Sequence, residues 1–334
     1  MKLNDLLRAL RPLLSEARGV STAAFVAICG CGSAGAVIVA GSSGAGNNNN
    51  TQAGLNSYLS GASLTAFPYW ENLIRFSNSS GVYLGFNATT MRGWVLSADH
   101  IGPDPASITV AGNSYSVTSS VLSIGNSDLS LYQIGGGVSD PALPSLPTVP
   151  LITTIAQPGE NALMFGRGFT NNTSTPYTWQ TPGLSDSNSM RWGSNTIELN
   201  ANVNLGTLIA RNIQPYTVVD FDGPLGAGAT PFDAQGSNGD SGGGLFVLRG
   251  GVWQLSGIAH FVDDGPDFLE SPETGNGISN SSEIGDFTAY SDVSSKRTSI
   301  FSSTGTLIPE PSSLLLTSPA LLLLLRRRRC ETRH

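Results

Sequence analysis

Histidine is scarce in this chain: the only three are His100, His260 and His334. A serine hydroxyl becomes a nucleophile when a base takes its proton, a further group orients that base, and amide donors receive the developing oxyanion. The pentapeptide Gly239-Asp240-Ser241-Gly242-Gly243 offers such a serine. Its glycines let the backbone turn the N–H groups of Gly239 and Ser241 toward one point without Cβ clashes, which makes those two amides the candidate oxyanion donors. His334 is the last residue, so the base must come from His100 or His260. His100 ends the run Gly93-Trp94-Val95-Leu96-Ser97-Ala98-Asp99-His100, an apolar strand leading into a polar loop. Without Ser241 it would read as an ordinary loop histidine. Asp128 opens Asp128-Leu129-Ser130-Leu131 at the start of a buried strand. A carboxylate is costly to bury there unless something pairs with it, and His100 is the natural partner. Asp99 is adjacent to His100 and should point away from it. Asp104 and Asp140 sit beside prolines and read as solvated turn residues.

The elements that must position these groups are short. Apolar or alternating runs recur at Leu73–Phe76, Val82–Phe86, Trp94–Ala98, Ser107–Val110, Tyr115–Ile124 and Leu129–Ile134, then at Ala162–Phe165, Thr196–Leu199, Thr217–Phe221, Gly244–Leu248 and Val252–Phe261. Gly, Asn, Ser or Pro bound each run. Spacing of roughly ten residues with turn signals between predicts an all-β body of antiparallel barrels or sandwiches. Helical periodicity competes only at Val293–Phe301, a candidate terminal helix. Pro141 to Pro150 holds four prolines in ten residues and must be an extended connector rather than a central strand. The reading is thus two β halves, 65–140 and 151–303, joined by the connector 141–150.

Charge is unevenly spread. The 334 residues carry 24 acidic and 17 basic groups, net −7. Four basic residues lie in the first 18 positions and five in the last nine; without the ends, eight basic residues face twenty acidic ones, net −12. So acidic a body argues against nucleic-acid binding, which needs clustered Lys and Arg. All three cysteines, Cys29, Cys31 and Cys330, lie outside the body, which therefore has neither a disulfide nor a cysteine metal site. No pattern demands a cofactor. Residues 1–45, a basic lead followed by the apolar, small-residue-rich stretch Val20–Ala40, read as a signal peptide and export segment. Residues 46–64 read as a low-complexity spacer, with Asn47–Asn50 expected to play no packing role.

The order His100, Asp128, Ser241 belongs to the chymotrypsin type of double barrel. The chain resembles the trypsin/chymotrypsin-like serine peptidases over about residues 65–302. Trp94-Val95-Leu96-Ser97-Ala98-Asp99-His100 resembles that family's strand ending in Thr-Ala-Ala-His, and Asp128-Leu129-Ser130-Leu131 its Asp-Ile-Ala-Leu. Gly257-Ile258-Ala259-His260-Phe261 resembles its Gly-Ile-Val-Ser-Trp strand beside the substrate, and Tyr290-Ser291-Asp292-Val293 its Tyr-Thr-x-Val approach to the last helix. The resemblance implies two packed six-stranded antiparallel barrels with a short C-terminal helix. It also implies catalysis by His100, Asp128 and Ser241 and an oxyanion hole from Gly239 and Ser241. Counting back six residues places the pocket base at Gln235, which disfavours cleavage after Lys or Arg unless Asp233 swings in. His260 and Phe261 should line the substrate wall. His260 is either a ligand for a substrate carboxylate or a wall residue bonded to nearby backbone or to Asp128. The chain lacks the family's Ile-Val-Gly-Gly start and its disulfides, so Asp240 must find another internal partner. The acidic stretch Asp263-Asp264-Gly265-Pro266-Asp267 reads as an exposed loop rather than a calcium site.

At the far end, Pro309-Glu310-Pro311, an apolar run to Leu325 and Arg326–Arg329 resemble the PEP-CTERM sorting tail of Gram-negative bacteria. Fourteen apolar-run residues are short for a full helical span. That resemblance implies export, transient membrane anchoring through residues 308–334, and an exosortase-type enzyme as partner. Two alternatives to a peptidase remain at this point: an inactive chymotrypsin-fold surface-binding protein, and a β-rich envelope or matrix structural protein.

Overall fold

A computed structural model of the chain describes residues 37–39, 49–76, 79–101, 105–118, 122–168, 177–178, 190–203, 214–223, 226, 228–237, 239–262, 281–282 and 286–307. The expected signal residues before 37, the three cysteines, Asp104, the acidic stretch 263–267 and the tail 308–334 lie outside the described residues. Strand β1 (Ile38–Val39) pairs with a strand of the second half. Helix α1 (Gln52–Gly61) follows.

The first half holds β2 (Leu73–Phe76), β3 (Ser79–Asn87), β4 (Arg92–Ser97), β5 (Ser107–Val110), β6 (Asn113–Ser116), β7 (Leu122–Ser123) and β8 (Ser130–Ile134). Five of these form an antiparallel sheet in the order β2-β3-β4-β8-β7, and β5 and β6 make a hairpin. A bridge between Val117 and Ile134 carries the chain from the hairpin back to β8. Side chains alternate across a strand, and this sheet uses both faces. Ile74, Tyr83, Val95, Ile108, Val110, Tyr115, Tyr132 and Ile134 fill the inside of the curl. Their neighbours Val82, Leu84, Trp94, Leu96 and Leu131 face outward into a second apolar layer.

The second half comprises β9 (Asn161–Gly166), β10 (Tyr177–Thr178), β11 (Arg191–Thr196), β12 (Leu199–Val203), β13 (Gln214–Asp220), β14 (Ala234–Gln235), β15 (Gly244–Arg249), β16 (Val252–Val262), β17 (Ser281–Ser282) and β18 (Phe287–Asp292). Seven build one antiparallel sheet in the order β11-β9-β15-β16-β18-β13-β12. β10 pairs with β17 and β1 with β14. Ala162, Met164, Leu245 and Val247 point into this curl, whereas Leu163, Phe165 and Phe246 meet the outward layer of the first half. The largest core is therefore the seam between halves, where Phe67, Phe165, Phe246 and Trp253 pack edge to face and stacked. Helix α2 (Arg297–Thr304) is the last element among the described residues and buries Ile300 in that seam. The architecture is all-β and chymotrypsin-like, as the motif order implied.

Residues 141–150 form no regular element, in keeping with their prolines, and span the seam. The remaining amides serve both sides: Val149 N–H donates to Leu84 O, while Pro150 O accepts from Leu255 N–H (2.9 and 2.8 Å).

Four expectations need correction. The spacer is structural: Thr51 caps α1 by accepting from the Gly54 amide, and Leu55 and Leu59, one turn apart, are fully buried in the seam. Asn49, expected to be idle, is buried, donates to Trp192 O and accepts from Arg191 (3.2 Å). The run Thr196–Leu199 is no strand of its own: Thr196 ends β11, Leu199 opens β12, and of the two residues between them Ile197 points into the second core. Finally, Val37 and Val39, assigned by sequence to the export segment, are buried in that same core.

Candidate active site

The two first-half residues are brought together by strand pairing. In the β4–β8 ladder Ser97 faces Ser130. Asp128, two residues before Ser130, therefore lies beside the chain leaving β4 toward His100. The backbone N–H of His100 donates to Asp128 Oδ1 (2.9 Å), and His100 Nδ1 lies 2.7 Å from Asp128 Oδ2. Asp128 has no exposed surface, whereas 29 % of the His100 side chain is exposed, so the ring reaches from a dry floor to the open cleft. Asp99 turns the other way and accepts from the hydroxyls of Ser123 (2.7 Å) and Ser130. Asp140 is a turn residue as expected: it accepts from Gly137 N–H (2.8 Å) and Ser116 N–H (3.0 Å), and those backbone donors lower its pKa.

Ser241 arrives from the second half on a loop stitched to both. Its carbonyl accepts from Ser80 N–H of β3 (2.9 Å), and Gly242 N–H donates to Ala259 O of β16 (2.9 Å). Gly239 and Gly242 take φ of 93° and 84°, a left-handed region that favours glycine. A Cβ on Gly242 would stand 2.0 Å from Ser80 O, so this position must be glycine to let the loop approach β3. The result is a His100 Nε2–Ser241 Oγ distance of 2.8 Å. The sequence thus anticipated three residues that the fold collects into one line of hydrogen bonds.

Asp240 beside the serine finds internal partners, as expected. Its carboxylate accepts from Gly168 N–H (2.5 Å) and from Ser237 N–H (2.7 Å). Burial pushes its pKa up to about 7, against the opposing pull of these hydrogen bonds and the nearby Arg191 charge. Gln235, the expected pocket base, is buried in β14 and paired with Ile38. Next to it Gly236 N–H donates to Thr288 Oγ1 (2.8 Å), and Phe261 packs 5.8 Å from the Phe287 ring. Asp233 does not swing in. Its Oδ2 is held by the amides of Asp222 and Gly223 (2.9 and 3.1 Å), and burial, with the charge of Asp222, raises its pKa to about 8.

His260 lies beside Asp128, one of the partners its position allowed. The β16–β18 register slips between Ala259 and Phe261. Such a bulge breaks the alternation and re-aims a side chain, and His260 points inward with 1 % of its side chain exposed. Its Nε2 lies 3.5 Å from Asp128 Oδ2, and its ring stacks on His100 at 5.2 Å. Behind it stand two residues that sequence reasoning missed, Gln214 and Tyr216 of β13. Gln214 Oε1 accepts from Asp128 N–H (3.1 Å), and the Tyr216 hydroxyl lies 2.8 Å from His260 Nδ1. Only their shared face, two positions apart on one strand, could have signalled them.

His100, Asp128 and His260 place their ligand atoms within 4.8 Å of one another, a set that invites a metal reading. Two ligands on a tetrahedral ion at about 2.0–2.1 Å stand roughly 3.3 Å apart. The 2.7 Å between His100 Nδ1 and Asp128 Oδ2 is a hydrogen-bond separation instead.

Fold and site together define a chymotrypsin-like double barrel with a His–Asp–Ser line across its seam. No family model matches the sequence, and no curated protein does. Among solved structures the chain is similar to neuropsin, a serine protease expressed in the limbic system of mouse brain: 16 % identity, 72 % of this chain and 97 % of that chain covered, TM-score 0.45.

Proposed function

We propose that the chain is a serine endopeptidase working through an acyl-enzyme. The observation that carries this is the unbroken line Asp128–His100–Ser241, with separations of 2.7 and 2.8 Å. Ser241 Oγ bonds to the peptide carbonyl carbon while His100 Nε2 takes the hydroxyl proton. The carbon–nitrogen bond then breaks as His100 returns that proton to the leaving amine. Water repeats the sequence to release the acid and restore Ser241. Asp128 keeps the His100 proton on Nδ1 and stabilises the imidazolium. The amides of Gly239 and Ser241 receive the oxyanion, at about 3 kcal/mol per donor. Substrates are proteins or peptides, and a neutral pocket floor at Gln235 favours uncharged side chains over Lys or Arg.

Cleavage of a peptide library by the purified chain, with Ser241→Ala as control, tests this reading. Ser241-dependent cleavage that persists in chelator is expected. No cleavage by the wild type supports the inactive-scaffold alternative instead, and equal cleavage by Ser241→Ala removes Ser241 from the chemistry.

The address is a second proposal, supported by sequence alone. The segment before residue 37 directs export, and the tail 308–334 anchors transiently and is cut by an exosortase-type enzyme. Among the described residues no helix is long and apolar enough to cross a membrane. Replacing Pro309-Glu310-Pro311 with alanines in cells should leave the tail attached, as intact mass would reveal.

A further inference from the structure

The hydrogen bonds behind Asp128 have directions, and the directions lead from Asp128 to His260. Asp128 N–H donates to Gln214 Oε1 at 3.1 Å. The Gln214 amide nitrogen, a donor only, then gives a hydrogen to the Tyr216 oxygen. With its oxygen accepting, the Tyr216 hydroxyl hydrogen is free to go to His260 Nδ1, 2.8 Å away. Burial, with the charge of Asp128, pushes the Tyr216 pKa up to about 12, against the Gln214 hydrogen bond, so the phenol keeps that hydrogen. Nδ1 is thereby an acceptor, and a neutral imidazole with Nδ1 accepting carries its proton on Nε2. That Nε2–H faces Asp128 Oδ2 at 3.5 Å.

A doubly protonated His260 would need the Tyr216 oxygen to accept from Nδ1–H as well as from Gln214, and the Gln214 nitrogen, a donor only, stands 3.3 Å from the same Nδ1. The groups facing the ring are thus Asp128, His100, Tyr216 and Gln214, with the Ser291 hydroxyl 3.3 Å from Gln214 Nε2. Asp128 Oδ2 therefore stands between two imidazoles, His100 on the cleft side and His260 on the buried side.

We infer that His260 is a positioning residue. Through Asp128, it holds the orientation of His100 by aiming a second ring N–H at the carboxylate, with Gln214 and Tyr216 fixing its tautomer. The inference rests on the serine peptidase reading and gives His260 a task other than contact with a substrate side chain. At 3.5 Å the contact is longer than a formed N–H···O bond of about 2.9 Å. Bonds of this kind are often long before substrate binds and shorten in the reacting complex. As charge develops on His100 the carboxylate must stay in place and stay dry. A buried ring that stacks on His100 does both: it excludes water from Asp128, and its N–H offsets part of the cost of a carboxylate with no exposed surface.

The test compares His260→Leu, His260→Gln and Tyr216→Phe in the full chain. Leu removes the N–H, Gln can restore a donor, and Tyr216→Phe frees the tautomer without touching the ring. Positioning predicts that His260→Leu lowers kcat roughly tenfold, a part of what general acid–base catalysis contributes. KM should change little for neutral and acidic peptides alike. The acid limb of the kcat/KM profile should move to higher pH, because a carboxylate with one donor fewer holds the His100 proton more tightly. Phosphonylation of Ser241 by a fluorophosphonate should slow in parallel. His260→Gln should recover part of the rate, and Tyr216→Phe should show a smaller fall with the same sign of pH displacement. The low-field proton resonance of His100 Nδ1–H should shift in His260→Leu and Tyr216→Phe, a readout that needs no turnover. An unmoved resonance and acid limb in both variants overturns the inference, as does a KM effect confined to acidic peptides. A wild type that never labels at Ser241 overturns the peptidase reading, and the resonance then decides the positioning role by itself.

Discussion

The two halves supply the site in different ways. The first presents His100 and Asp128 from the ends of neighbouring strands, where the β4–β8 register alone brings them together. Around them the curl is filled by Tyr83, Val95, Tyr115 and Tyr132. The second half holds Ser241 on a loop that depends on positive-φ glycines, close backbone approach and buried carboxylates, Asp233 and Asp240 among them. One half is filled mainly by packed apolar and aromatic side chains around the buried Asp128. The other is held by polar groups taken out of water, and this makes it the sensitive half to sequence and to pH.

The largest effects should fall on the line that joins the halves. His100→Ala and Ser241→Ala should each cut kcat by roughly 10⁴- to 10⁶-fold, and the double variant should be little worse, because the residues act as one unit. Melting temperatures near that of the wild type would confirm that chemistry, not folding, was lost.

Two glycines with similar backbone angles then separate the halves. Gly112 in the first half has φ 79° and open space around its missing Cβ, whereas Gly242 has φ 84° and a carbonyl 2.0 Å from where Cβ would be. Gly112→Ala should cost about 1 kcal/mol, the strain of the angle alone. Gly242→Ala should cost several times more by denaturant unfolding and abolish cleavage. Equal costs would mean that the loop contact with β3 contributes little.

The seam is tested by Leu55→Ala. Deleting a fully buried leucine costs about 2–5 kcal/mol, and that loss would show α1 to be part of the folded body.

The smallest effect expected is on pH dependence. Burial raises the Asp233 pKa from an ordinary carboxyl value to about 8. A carboxyl whose pKa is higher folded than unfolded binds a proton on folding between the two values. Its contribution is fully present below pH 4 and is lost as pH rises toward 8. The melting temperature should therefore fall between pH 5 and pH 8, and the fall should be shallower in Asp233→Asn. An unchanged slope would transfer the effect to Asp222 or Asp240.

What could be read from sequence follows the same division. His100, Asp128 and Ser241 stood out because each combines a reactive type with a strand end or a glycine pair. Strands of the first half were legible because alternation of Tyr83, Val95 and Leu96 reports two buried faces. Gln214 and Tyr216 were not legible, since their role depends on meeting Asp128 of the other half, a contact with no periodic signature. For His260 the sequence left two readings open, a ligand for a substrate carboxylate or a residue bonded to backbone or Asp128, and only the fold places it beside Asp128. The segments around Val37 and Leu55 were masked by small residues and asparagines that resemble a spacer, although a few apolar side chains suffice to dock them.

Covalent labelling of the full chain with a fluorophosphonate tests the central claim most directly, with the modified residue located by peptide mass. The account predicts one adduct, on Ser241, that disappears in His100→Ala. No adduct, or one unaffected by loss of His100, would contradict it.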